Sequence, residues 1–202
     1  LIDAESFRKV RMLVNSRKHT RSRTYDFLLK GMIFCHEWLQ TIDGTMELVR
    51  LPDDLGIPTE QPVTLFKASD AKWSGEMLEL GEKTNGLDLG GHVTDGPWIF
   101  RTQTGKLGML WSTWGKKRYS IGVAYSESGS VKGPWIQEEE PLYSDNGGHG
   151  MLFRTFEGQL KLCMHIVDEL DEYPGRKPVF FDVDISGERL VILKSKSPQI
   201  KN

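Results

Sequence analysis

The sequence predicts an all-β protein assembled from repeated four-stranded sheets, and three observations carry that prediction. A phrase occurs twice, 53 residues apart: Phe100-Arg101-Thr102 with Gly105 and Leu107 recurs as Phe153-Arg154-Thr155 with Gly158 and Leu160. From Met32 onward, short runs rich in aromatic and β-branched residues are cut by Gly, Pro, Asn and Asp turn signals. Long helical periodicity is absent after residue 31. A repeat of roughly 50 residues in a strand-rich chain points to propeller blades or a similar array.

The elements follow in order. Residues 4–14 suggest a short helix. The first set of strands is expected at 32–38, 46–51 and 62–67, with the Asp43-Gly44 turn between the first two. Its inner strand must come from the leader, and 24–29 (Thr24 to Leu29, before the Lys30-Gly31 turn) is the candidate. The second set is the clearest: 97–102, 107–114, 119–126 and 134–138, punctuated by Thr104-Gly105 and Ser128-Gly129. A third set runs 150–155, 160–166, 178–184 and 190–193, with turns at Glu157-Gly158 and Ser186-Gly187. Three blades do not close a ring, since propellers use four to eight. An incomplete propeller leaves open blade edges, and self-association through them is expected.

Composition sets the limits. The chain has 202 residues, 38% hydrophobic and 27% charged, enough for one globular domain with a core. The net charge of -2 argues against a dedicated nucleic-acid binder, although residues 1–31 are basic. Arg8, Lys9, Arg11, Arg17, Lys18, Arg21, Arg23 and Lys30 stand there against Asp3, Glu5 and Asp26. Such a stretch could touch RNA or a membrane surface, and a solvated, divergent or poorly ordered leader is the plainer reading. The division is then a leader at 1–31 and a propeller domain at 32–202. No apolar run reaches the ~20 residues of a membrane span, and no signal peptide is visible. The first residue is Leu, so the native start is expected to lie upstream, and localisation is not readable from the sequence. Cys35 and Cys163 have neither disulfide nor metal spacing, and both sit in apolar runs.

Candidate chemistry clusters where inner strands begin. Asp95 in Thr94-Asp95-Gly96-Pro97 has a glycine that permits close approach and a proline that sets the backbone; it is also well placed simply to cap a turn. Trp98 offers a flat apolar face for a sugar ring. His149 in Gly147-Gly148-His149-Gly150 suits a hydrogen-bond donor or metal ligand, or is a turn histidine; one His alone is a poor metal site. Glu37 could be a second carboxylate or the polar end of a strand, and His165 could reach a cleft from the end of its own strand. A Gly-x-Ser-x-Gly elbow, phosphate loop, dinucleotide fingerprint, HExxH and CxxC are all absent. What remains is carboxylate chemistry in an aromatic-walled cleft, the equipment of glycoside hydrolysis.

These marks together resemble glycoside hydrolase family 43, five-bladed propellers that cleave arabinose- and xylose-containing polysaccharides. The resemblance runs from Met32 to Asp184 through Met32-Ile33-Phe34-Cys35-His36-Glu37-Trp38, Ala68-Ser69-Asp70-Ala71, Thr94-Asp95-Gly96-Pro97-Trp98, Gly147-Gly148-His149-Gly150 and Pro178-Val179-Phe180-Phe181. It implies blades three, four and five of an incomplete five-bladed propeller. It further implies inverting acid/base hydrolysis by two carboxyl groups. Asp95 stands where most members carry a Glu as general acid, one methylene longer. His149 matches an axial histidine that helps hold calcium or its waters. A third carboxylate, on the inner strand of blade three, has Asp26 as its candidate here. Trp98 and Trp38 would line the sugar cleft with Glu37 and His165. The general base belongs to a blade with no counterpart in this sequence, so a non-catalytic propeller fragment that binds glycan or protein is the alternative. By family analogy alone, the protein would be secreted or periplasmic.

Overall fold

The computed structural model describes residues 10–14, 31–36, 42–58, 60–76, 83–84, 87–88, 91–167 and 175–193. Within them lie three four-stranded antiparallel sheets, each a meander in chain order. The first holds β1 (Val10–Val14), β2 (Gly31–His36), β3 (Thr45–Arg50) and β4 (Val63–Lys67). After a 3-10 turn at Ala68–Asp70 and a small hairpin, β5 (Lys83–Thr84) with β6 (Leu87–Asp88), the second sheet begins. It holds β7 (Asp95–Arg101), β8 (Leu107–Trp114), β9 (Tyr119–Ser126) and β10 (Trp135–Gln137). The third holds β11 (Gly147–Arg154), β12 (Leu160–Val167), β13 (Arg176–Asp184) and β14 (Val191–Ile192). The leading strand of the middle sheet, β7, touches the leading strands of both neighbours, β1 and β11. That is the arrangement of three consecutive propeller blades around an axis.

The first blade corrects two expectations. Its inner strand is Val10–Val14, within the stretch suggested as a helix, and it pairs antiparallel with β2. The run Val-Arg-Met-Leu-Val has β-branched ends, and pairing with β2, buried from Gly31 to Cys35, satisfies its backbone on that side. The alternative inner strand, 24–29, lies outside the described residues.

The alternation along β8 explains how the blades stack. Leu107, Met109 and Trp111 face the first blade, joining Ile33, Met46 and Phe66 in one buried cluster. Leu110 points the other way, into a second cluster with Ile121, Val123, Leu162 and Met164. Trp111 is fully buried between Phe66 and Trp73, with ring centroids at 5.2 and 4.9 Å, and its indole N–H donates to Gln137 Oε1 at 2.9 Å. Each fully buried side chain of this size contributes about 1.5–3 kcal/mol through lost apolar exposure.

The duplicated phrase is the hairpin joining the first and second strands of a blade. Thr102 N–H donates to Lys106 O at 3.0 Å, and Thr155 N–H donates to Gln159 O at 2.9 Å. Arg101 and Arg154 each reach across that turn to the carbonyl of Gly105 and Gly158, at 2.9 and 3.0 Å. The repeat therefore encodes turn closure, while the residues that differ between copies sit at the opposite end of each inner strand.

Candidate functional site

Each inner strand carries one extra residue near its start. On β7, Asp95 pairs with Ser112 and Trp98 with Leu110, so Gly96 and Pro97 face the single residue Trp111. On β11, Gly148 pairs with His165 and Met151 with Cys163, so His149 and Gly150 face Met164. Such bulges bend a strand and re-aim its side chains. The two are repeat-related, and their equivalent residues, Gly96 and His149, both adopt positive φ, 54° and 58°. The sequence places Asp95 and His149 in turns ahead of strands. They instead lie inside strands, at the bulges, because a bulge accommodates the residues that signal a turn.

The two bulges bring their side chains together. Asp95 Oδ2 accepts a hydrogen bond from the Tyr119 hydroxyl at 2.8 Å and lies 3.0 Å from His149 Nδ1, the donor position of that ring. The backbone N–H of His149 donates to Ser112 Oγ at 2.8 Å, tying the third blade to the second. A Cβ at Gly96 would lie 3.1 Å from the His149 ring, and one at Gly148 would lie 2.6 Å from Tyr119 Cε1. Gly96 and Gly148 are thus explained by the rings laid against them.

An aromatic wall surrounds this carboxylate. Tyr119 stacks on His165 with centroids 5.6 Å apart and planes 15° from parallel, and meets Trp114 edge-on at 5.6 Å. Burial first, and the Asp95 carboxylate second, push the Tyr119 phenol far above its ordinary value, so it remains a proton-bearing donor. Burial, with help from Arg176 and His149, lowers the pKa of His165, against a raising effect from Asp95.

Two cavities open on Asp95. One, of about 210 Å³, is lined by Asp95 with Cys35, Thr94, Trp114, Tyr119, Asn146, His165 and Arg176. The other, of about 670 Å³, is lined by Asp95 with His149, Met151, Cys163, His165, Arg176 and Pro178. Asp95 is the sole Asp or Glu among the described residues that line either cavity.

Comparison with solved structures places the fold. An endo-arabinase from Bacteroides thetaiotaomicron VPI-5482 is 38% identical over 86% of this chain, with a TM-score of 0.64. A thermostable family-43 glycoside hydrolase aligns over 87% of the chain at 18% identity, also with a TM-score of 0.64. The chain is a partial family 43-like β-propeller. An endo-1,4-beta-xylanase from Bacteroides thetaiotaomicron VPI-5482 shares the fold over 85% of the chain, at 22% identity and a TM-score of 0.61. This family 43-like chain spans 54% of the arabinase and 56% of each of the other two. No protein-family model and no curated protein matches it.

The propeller brings together three of the residues singled out from sequence. Asp95 and His149 are paired, and His165 lines both cavities. Trp98 lies on the same sheet face as Asp95, but it packs against the apolar cluster between the second and third blades and lines neither cavity. The Ala68-Ser69-Asp70-Ala71 mark is the 3-10 turn, pinned by Asp43, whose carboxylate accepts from Ser69 N–H and Oγ–H at 3.1 and 2.6 Å. Asp26, Glu37 and Trp38 lie outside the described residues.

Sequence reasoning missed Tyr119, Ser112, Trp114 and Arg176. Ser112 and Tyr119 have no Gly or Pro beside them, and the glycines next to Trp114 and Arg176 read as ordinary turn signals at strand ends, so only the tertiary fold singles the four out.

Calcium takes six to eight oxygen ligands. Here Asp95 Oδ2 is engaged by Tyr119 and His149, and no group of three or more His, Cys, Asp and Glu side chains among the described residues is arranged to hold a metal.

Proposed function

We propose that this propeller is part of a glycoside hydrolase acting on arabinose- or xylose-containing glycans, with Asp95 as the general acid. One observation carries the reading: Asp95 is the sole carboxylate among the described residues on two cavities, both reached by the Arg176 guanidinium and one walled by Trp114 and Tyr119. The endo-arabinase likeness, at 38% identity, supports the substrate class.

In this reading the Asp95 carboxyl gives its proton to the glycosidic oxygen as the bond to the anomeric carbon breaks. A carboxylate elsewhere in the protein activates water from the opposite face. Inversion requires the two carboxyl groups to stand roughly 6.5–9.5 Å apart. Asp95 is one methylene shorter than the glutamate usual in the family, so the sugar must approach closer to the strand.

The test uses the protein that contains this sequence and its Asp95→Asn variant. Substrates are aryl arabinofuranosides and aryl xylosides of graded leaving-group acidity. Loss of a general acid should slow poor leaving groups about 10²–10⁴-fold while leaving the most acidic phenols much less affected. Equal rates for variant and parent across the series would overturn the assignment. Binding of arabino-oligosaccharides without turnover by the parent would put a glycan-binding propeller in its place.

A further inference from the structure

We propose that Tyr119 is the positioning residue for Asp95, and that its hydroxyl fixes the reach of this short acid. The inference rests on the functional reading above and adds a residue that no sequence signal marks. Tyr119 heads β9, two strands away from Asp95 in the same blade, and its side chain crosses β8 to place the phenol oxygen 2.8 Å from Asp95 Oδ2.

The fold is built around that crossing. Gly148 carries no Cβ where one would lie 2.6 Å from the Tyr119 ring and 2.9 Å from Ser112 Oγ. His165 covers one face of the ring and Trp114 meets its edge. The ring is therefore held from the second and third blades together, and its hydroxyl has a fixed address.

A carboxylate on a single methylene has fewer rotamers than a glutamate, yet still swings about χ2, whose torsional preference is broad. Two donors on one oxygen, Tyr119 Oη–H and His149 Nδ1–H, stop that swing. They leave the orientation of the second carboxyl oxygen set by the clamp rather than by the substrate. Pre-set orientation of this kind lowers the barrier without tightening ground-state binding. The charged and titratable groups facing the pair are Cys35 from β2, His149 from β11, His165 from β12 and Arg176 from β13.

The experiment compares Tyr119→Phe and Tyr119→Leu with the parent and with Asp95→Asn, in the protein containing this sequence, on the same aryl glycoside series. Phe keeps the stacked ring and removes only the oxygen. Tyr119→Phe should lower kcat on poor leaving groups about 10–100-fold with KM within about twofold, and its unfolding midpoint should stay close to the parent's. Tyr119→Leu should lose stability as well.

If only the packing of the ring matters, Tyr119→Phe matches the parent while Tyr119→Leu fails, and the positioning role is overturned. A rise in KM with unchanged kcat in Tyr119→Phe would also overturn it, since that marks a substrate contact. Leaving-group dependence in Asp95→Asn alongside a parent-like Tyr119→Phe sinks this inference alone. Its absence in Asp95→Asn sinks the general-acid reading and this inference with it.

Discussion

At the scale of single residues, the site is governed by which groups keep or refuse a proton. His165 illustrates the sign. Its pKa is lowered from 6.5 by burial, Arg176 and His149, with Asp95 opposing. In the unfolded chain the imidazole titrates at its ordinary value, so as pH falls below about 6.5 the unfolded state takes up a proton that the folded state resists. The contribution of neutral His165 to stability is whole above that pH and is lost as pH falls through the lowered folded value. His165→Phe preserves a ring against Tyr119 and removes the proton, so its Tm should decline less than the parent's between about pH 7 and pH 5. Parallel declines in the two proteins would place the acid sensitivity in another group. The residues of this site were unevenly legible. Asp95 and His149 stand out in the sequence because glycines crowd them. Tyr119 does not, because a Tyr opening an alternating strand looks like any other half-buried aromatic, and its role exists only once β11 is laid beside it.

At the scale of elements, the bulge is the device that turns a propeller strand into a site. The sequence starts the two inner strands at 97 and 150, whereas they begin at Asp95 and Gly147. Asp, Gly and Pro in succession signal a turn, and a bulge satisfies the same conformational demands without leaving the sheet. The inner strand of the first blade was hidden for another reason: it is short, Arg11 interrupts its apolar pattern within a basic stretch, and its partner β2 lies well downstream in sequence. The middle two strands of the middle blade were legible to the residue, because 107–114 and 119–126 are aromatic-rich apolar runs bounded by turn residues at both ends. The bulge also gives a stability prediction. Gly96 holds φ at +54° and has the His149 ring 3.1 Å from where a Cβ would go. Gly96→Ala should cost about 1–2 kcal/mol from the left-handed backbone alone, before the ring is displaced. Urea unfolding would show a lowered midpoint with unchanged slope. A midpoint equal to the parent's would mean that the strand relaxes out of the bulge, and with it the pairing of Asp95 and His149.

At the scale of the whole molecule, the middle blade is buried on both faces and the third blade on one. Leu152, Leu162, Met164 and Val179 face inward from the third blade, into the cluster shared with the second. The register sends Met151, Phe153 and Phe180 to the opposite face, where they are 46%, 36% and 56% exposed. Phe153 and Phe180 already pack edge to face at 5.8 Å, so with Met151 they form an apolar cluster, bordered by the Lys161–Asp182 ion pair, rather than scattered single side chains. Apolar area returns about 25 cal/mol for every Å² withdrawn from water. A surface of this kind on the 202-residue chain should therefore drive contact between copies. The chain alone is expected to associate with rising concentration in sedimentation velocity. A double substitution, Phe153→Lys with Phe180→Glu, should shift it to monomer while preserving cooperative unfolding, because neither side chain belongs to the buried clusters. Opposite charges at the two positions keep the pair attractive across β12 and leave the net charge unchanged. A lost association therefore reports the apolar face and not bulk repulsion. A parent chain that stays monomeric at every concentration would show that this face is covered within one copy.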